Sequence, residues 1–408
     1  MKEYFKLAWR NIWRNKRRTL ITIASVFFAI FLALIMRAMQ LGSYGHWTDS
    51  IVKAYCGFIQ VHKAGYWNDP TLENSFENSE DLEKQIKRNE NVSGVIPRFE
   101  SFALASSGNQ TKGVMVVGID AEKEKQLMNP ETKIVKGSYL TKDSTGVLIS
   151  QRLAEFLKLD INDTVTLLSQ GFQGVTAAGI FPVTGIIRMP NPELDRRMIF
   201  MSINNAQFLY NAPGRLTSLV INITETNELN RTTNQIKSLF DLNKYEVMSW
   251  EQLNPEIVQA IESDQAGGFV MLGLLYLIVG FGVLGTLIMM TTERRREFGV
   301  IIALGMQKIK LGLLVTLEMI LLGFIGIFSG ILGSIPVILY FKHNPIQFTD
   351  EYANMFEAYG MEPIMPFLLR IDYFIGQTLI VFLIFFIAIL YPVYSVIRLK
   401  EINALRTK

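Results

Sequence analysis

Catalysis would need a metal cluster, an activated nucleophile or a phosphate cradle, and the side chains that supply these are scattered along this 408-residue chain. Its three histidines, His46, His62 and His343, are too far apart for the H-E-x-x-H pattern that sets two imidazoles on one helix face around zinc. The single cysteine, Cys56, excludes a disulfide framework and a Cys-rich metal site. Gly108 and Gly113 have the spacing of a phosphate-binding loop. However, Val114 and Met115 stand where a lysine and a hydroxyl must meet phosphate and Mg2+. There is no G-x-S-x-G turn to expose a serine. No catalytic residue, metal ligand or cofactor of the chain's own is therefore expected, and the chain reads as a non-enzyme.

The notable charged residues lie elsewhere. Residues 292–305, TERRREFGVIIALG, combine a charged start, an apolar face and a glycine stop. That pattern predicts a short helix, and it falls between two long apolar runs. Glu318 is the one charge inside an apolar run. A carboxylate there is costly, but close to the end of a span a long side chain can reach the interface, so a structural role is favoured over a proton relay.

The elements that must position these residues follow from composition. The chain is 49% hydrophobic and only 19% charged, which excludes a purely soluble enzyme, a disordered chain and a nucleic-acid binder. Crossing about 30 Å of hydrocarbon takes roughly 20 apolar residues. Four runs are long enough, giving spans at 19–41, 266–292, 311–341 and 373–397. The second and third exceed the requirement and are expected to tilt or project as stalks. The first has a basic flank but no small-x-small cleavage pattern, and reads as an uncleaved signal anchor.

Basic residues near span ends set orientation. Segments 1–18, 293–310 and 398–408 together hold sixteen basic and four acidic residues, whereas the rest of the chain holds 24 and 33. Both termini and the 293–310 loop are thus expected in the cytoplasm, with residues 42–265 and the loop 342–372 outside. In segment 1–18, Phe5, Trp9, Ile12 and Trp13 share one helical face and Lys6, Arg10, Arg14 and Arg17 another. This is the pattern of an interfacial helix touching membrane lipids.

Between spans one and two, short apolar runs at 113–119, 147–149, 164–168, 181–187, 198–201 and 219–223 read as strands. Helical stretches at 79–88, 151–157, 204–210 and 226–240 interleave with them, so the outer domain is α+β. Ser249 and Gln252 have capping-box spacing, and Pro255 stands at a first helical position. A helix from there is expected to run directly into span two. Gly323, Gly326, Gly330 and Gly333 form small-xxx-small faces for close helix packing, within the chain or against a second copy.

The loop 292–305 closely resembles the E-R-x-x-E-[IF]-G-x-x-x-A-L-G signature of the MacB/LolC/LolE/FtsX family of ABC transporter permeases. The tail is similar to that family's Y-P-A-x-x-A-x-R-L-x-P-x-x-A-L-R ending through Tyr391, Pro392, Arg398, Leu399, Ala404, Leu405 and Arg406. It departs at Val393 and Ile402. In the outer domain Val147, Leu153, Ala154, Leu159, Asp163 and Val165 resemble a stretch of the family's periplasmic core domain. Asn191–Arg196 and the opening residues 7–18 resemble the LolE-like branch. The resemblance covers essentially the whole chain.

It implies a multi-pass protein of the bacterial inner membrane, with four transmembrane helices and a large α+β extracytoplasmic domain, the MacB-type periplasmic core domain, between helices 1 and 2. It implies a permease subunit working by mechanotransmission with a cytoplasmic ABC ATPase dimer, which binds ATP and Mg2+, and with a second permease copy or paralogue. Glu293, Arg294, Arg295, Glu297, Gly299, Ala303, Leu304 and Gly305 are then the ATPase-coupling residues. Release of lipoproteins from the outer leaflet is the leading expectation. Export of peptides, antibiotics or other amphiphiles, or FtsX-like regulation of an extracytoplasmic hydrolase, are the alternatives. Met39, Leu41 and Phe269 are candidate substrate contacts at the stalk–membrane junction. The hairpin 169–180 falls where LolC-type subunits carry a loop for a periplasmic carrier, without that loop's prolines and basic residue, and Phe172 is its candidate anchor.

Overall fold

A computed structural model describes residues 2–14, 16–142, 144–358 and 362–399. The tail positions Ile402, Ala404, Leu405 and Arg406 lie outside the described residues. In chain order the elements begin with helices α1 (Lys2–Arg14) and α2 (Lys16–Ile51), strand β1 (Ile59–Lys63) and helix α3 (Glu80–Ile86). Strands β2 (Val92–Ser107) and β3 (Gln110–Ile119), helix α4 (Ala121–Met128), strands β4 (Ile134–Gly137) and β5 (Val147–Ser150) and helix α5 (Gln151–Leu157) follow. Next come β6 (Thr164–Gln170), β7 (Thr176–Ile187), β8 (Met198–Ser202), α6 (Ile203–Leu209), β9 (Ser218–Ile223), α7 (Leu229–Lys237) and β10 (Tyr245–Ser249). The helices that follow are α8 (Pro255–Glu293), α9 (Arg295–Ala303), α10 (Lys308–His343), α11 (Asp350–Ala358) and α12 (Ile371–Ile397), with a two-residue strand pair, Ile346–Gln347 and Ile364–Met365, between α10 and α12.

The chain divides into two compact units, one drawn from residues 1–44, 261–347 and 364 onward, the other from 45–260 and 348–363. Among the described residues, α2, α8, α10 and α12 are the four helices long and apolar enough to cross a membrane. The α+β unit falls in sequence between the first and second of them, as expected. At 1.5 Å per residue, the 36 residues of α2 extend about 54 Å and the 39 of α8 about 59 Å, well beyond the hydrocarbon thickness. The long α2 was not anticipated, because residues 42–51 are polar enough to read as domain, yet they continue the helix.

In the helical unit, α10 is the most buried of the four long helices and α8 the least. Glycines set the spacing of α10. A Cβ at Gly326 would lie 2.6 Å from Val26 Cβ on α2, and one at Gly330 would lie 2.9 Å from the Phe27 carbonyl oxygen. Gly323 faces the ring of Phe385 on α12. The small-residue stripe therefore packs within the chain. Gln40 on α2 donates to the backbone carbonyl of Asp264 on α8 at 3.1 Å, and the Tyr44 hydroxyl donates to the Asp264 carboxylate at 2.6 Å. The expected interfacial face of α1 is split: Ile12 is buried against Met290 and Leu322, while Phe5, Trp9 and Trp13 are exposed.

The other unit is built on a ten-stranded sheet in the order β10-β1-β9-β2-β3-β8-β5-β7-β4, with β6 bridging β2 and β7. The β3–β8 and β5–β7 pairs are parallel and the others antiparallel. All four residues of β5 and all six of β9 are buried, which explains why apolar residues stand at consecutive positions, Val147–Ile149 and Leu219–Ile221, instead of alternating. Asp120 caps α4 by accepting from the Glu122 and Lys123 amides, each at 3.2 Å. Ser249 and Gln252 form the expected capping box, and α8 begins at Pro255.

Candidate functional site

The nine residues of α9 connect α8 to α10. Phe298 and Gly299 are its buried side, and Phe298 joins the core between the long helices. Arg295, Arg296, Glu297 and Val300 are exposed, as are Ala303, Leu304 and Gly305 beyond them. Gly305 has φ +100°, a conformation that L side chains rarely adopt. It turns the chain out of the helix before α10 starts at Lys308.

Two ion pairs hold α9 to α10 and α1, and a third ties the end of α8 just before it to α2. Arg294 Nη1 donates to Glu318 Oε2 on α10 at 2.5 Å. Asn11 on α1 donates to the other oxygen of the same carboxylate. Arg14 on α1 pairs with Glu297, and Arg18 on α2 pairs with Glu293. Arg294 also lies 3.5 Å from Glu297 and covers the Phe298 ring at 5.0 Å. Arg295 donates to the Ser395 hydroxyl of α12 at 3.2 Å. A polar cavity of about 440 Å3 lies among Asn11, Arg14, Arg18, Glu293, Arg294 and Glu297.

Burial works against ionisation of Glu297, but the hydrogen bond and charge of Arg14, with the charge of Arg294, hold its carboxyl below the ordinary value of 4.5. Glu318 is buried within the protein and held by partners, and does not extend outward as its sequence position suggests. Its side chain is 1% exposed, because α9 and α1 bring a guanidinium and an amide to it.

The eight coupling positions named from sequence lie on or beside α9 and divide by role. Arg294 and Glu297 fix the helix to α10 and α1, Glu293 ties the preceding end of α8 to α2, Gly299 is on the buried side of α9, and Arg295, Ala303, Leu304 and Gly305 are outward. Asn11, Arg14, Arg18 and Glu318 complete the cluster and were not named as part of it. The basic run before the first span was a signal for membrane orientation and an interfacial helix, not for a contact with α9.

The remaining sequence positions lie apart from this cluster. Met39 and Leu41 pack against the core of the helical unit, whereas Phe269 is exposed with the Arg37 guanidinium 5.2 Å from its ring centre. Phe172 is partly buried against the sheet core, with Arg215 at 4.5 Å over its ring. The exposed apolar side chains around that hairpin are Leu168, Val175 and Ile180.

Four apolar helices, an inserted α+β domain and a short helix pinned between the second and third spans define a multi-span membrane permease. Residues 19–239 match the MacB-like periplasmic core domain and residues 269–400 match the FtsX-like permease C-terminal domain. The chain belongs to the MacB/LolC/LolE family of ABC transporter permeases.

Among curated relatives, the lipoprotein-releasing system transmembrane protein LolC of Neisseria meningitidis serogroup B is 21% identical over 62% of this chain and 63% of its own length. LolC of Xylella fastidiosa is 22% identical over 77% of this chain and 78% of its own. The macrolide export ATP-binding/permease protein MacB of Nitrobacter winogradskyi is 23% identical over 82% of this chain and 52% of its own. The chain thus spans a little under two thirds of the meningococcal relative and about half of MacB. The periplasmic region of MacB from Actinobacillus actinomycetemcomitans aligns at 15% identity and TM-score 0.36, over 53% of this chain and 95% of that one.

Proposed function

We propose that this chain is the membrane subunit of an ATP-driven transporter of the bacterial inner membrane, with both termini cytoplasmic, and that it releases lipoproteins from the outer leaflet. ATP and Mg2+ belong to a separate cytoplasmic ATPase dimer, and a second permease copy or paralogue completes the complex. The observation that carries the coupling role is the fixing of α9 by ion pairs to α1 and α10, with the end of α8 just before it paired to α2, which leaves Val300 and Leu304 exposed at 44% and 83%. A helix held this firmly transmits a push rather than absorbing it. The α2–α8 bonds through Gln40, Tyr44 and Asp264 support joint movement of the two long helices, as mechanotransmission requires.

Lipoprotein release rests on the LolC relatives. Export of an amphiphile is the second reading, favoured by the MacB match over a larger share of the chain. Purification from native membrane, with identification of all bound proteins and lipids, tests both. A small Walker-A-bearing ATPase with acylated lipoproteins supports release. An ATPase without lipoprotein, whose activity is stimulated by an amphiphilic drug, moves the assignment to export. Absence of any ATPase overturns the proposal.

A further inference from the structure

The α+β unit contains a cavity of about 440 Å3, within the range of small-molecule sites. Its floor and one wall follow from the period-two alternation of β2, which sets Arg98, Glu100 and Phe102 on one face. Arg98 is fully buried, Glu100 is at the cavity wall, and Phe102 is 55% exposed. Tyr66 and Trp67 add two more aromatic rings, a third, Tyr55, already carries the Arg98 guanidinium 4.6 Å over its ring, and Met115, Leu194 and Ile257 add apolar surface. The loop carrying the rings is pinned, because the Gly65 and Trp67 amides donate to the Glu246 carboxylate at 3.1 and 2.7 Å. Tyr66 is stacked on His62 at 5.0 Å.

The charge in this cavity is unbalanced. Arg98 grips Glu124 through two contacts, at 2.5 and 3.3 Å, and donates to the Tyr55 carbonyl at 2.5 Å. It lies 3.9 Å from Glu100, beyond hydrogen-bond reach. One guanidinium therefore serves two carboxylates. Glu100 is left with a hydrogen bond from the Tyr55 hydroxyl at 2.7 Å, and its side chain is 15% exposed. Glu193 and Glu256 also line the cavity, and among the described residues Arg197 is the one lining cation. Arg197 is already 3.4 Å from Glu193. Apolar and aromatic walls around an under-compensated carboxylate attract a cation through charge and through the ring faces.

We infer that this cavity binds a small organic ammonium ion with an apolar body, its charged head between Glu100 and the aromatic rings and its body against Met115, Leu194 and Ile257. The site is separate from α9 and does not depend on which cargo the permease moves.

The test uses the full chain in lipid nanodiscs and three small probes of similar shape: benzyltrimethylammonium, its neutral isostere neopentylbenzene, and phenylacetate. Calorimetry or ligand-observed NMR reads the dissociation constants. The cation is expected to bind at least about tenfold more tightly than the neutral isostere, with phenylacetate excluded. Glu100→Gln keeps an acceptor for the Tyr55 hydroxyl and is expected to weaken the cation about tenfold. Trp67→Ala weakens it severalfold. Glu256→Gln, at a position whose removal leaves the Arg98 cluster intact, gives a second reading if Glu100→Gln lowers the melting temperature. Equal binding of cation and isostere overturns the inference. So do dissociation constants unchanged in all three variants, or no saturation below about 10 mM.

Discussion

Arg294 and Glu318 meet at 2.5 Å, one at the start of α9 and the other buried on α10. Asn11 of α1 supplies a second donor to the same carboxylate. Each helix in this arrangement contributes a group that would be costly to bury alone. The pair is therefore a registration device: α9 is in place only when Arg294 sits on Glu318.

Removing one partner leaves the other charge buried. Glu318→Gln and Arg294→Met are each expected to destabilise the protein by about 3–5 kcal/mol, seen as a lower melting temperature in nanodiscs. Replacing both by methionine should restore most of that stability, because apolar side chains of similar volume replace the pair. Stimulation of the partner ATPase should remain low in all three. A double variant with full stimulation would show that α9 does not need this registration.

The Arg14–Glu297 pair is more exposed, at 56% and 48%, so Arg14→Ala should cost less than about 1 kcal/mol. Its pH dependence has a definite sign. The folded Glu297 value lies below the ordinary 4.5, so the unfolded chain takes up a proton first as pH falls. The pair's contribution is complete above pH 4.5 and disappears as pH falls through the folded value. Melting curves of wild type and Arg14→Ala should converge in that acidic range and separate above it, with the gap shrinking in high salt.

Gly305 and Arg295 test the outward surface of α9. Gly305→Val places a β-branched side chain at φ +100°, a strain of about 1–3 kcal/mol. Arg295→Glu removes the bond to Ser395 and reverses an exposed charge. Both variants should insert in the membrane and lose ATPase stimulation. Unchanged stimulation in both would remove α9 from the coupling role.

Gly326→Leu addresses the α10–α2 contact, where even a Cβ would lie 2.6 Å from Val26 Cβ. Overpacking of this kind costs about 1–3 kcal/mol. A melting temperature equal to wild type would show that the two helices do not pack this closely in the membrane.

The four spans, the α+β class, six strands and the α9 helix were legible because each is a local pattern of apolar spacing and caps. The 16-residue β2 was not. Pro97 and the charges at Arg98 and Glu100 interrupt its alternation, and Arg98 is tolerable there only because Glu124, from a helix after the next strand, meets it. The α9 cluster was half legible. Its own residues form a motif, but Asn11 and Glu318 are 307 residues apart, and no local signal marks them as partners. Glu318 stood out as an anomalous charge, and tertiary structure alone supplied its explanation.

The exposed end of α9 is the surface through which the permease is proposed to meet an ATPase in the cytoplasm. Leu304 is 83% exposed. The natural thiol, Cys56, is buried, and that burial pushes its value to about 12, so it is protonated and unreactive near neutral pH. Leu304→Cys therefore carries a single reactive thiol, which a short bismaleimide can cross-link in native membrane before mass spectrometry. An adduct between this position and a Walker-A-bearing ATPase is expected, with no labelling by impermeant maleimide from outside intact cells. Labelling from outside, or cross-linking without any ATPase adduct, would contradict that contact.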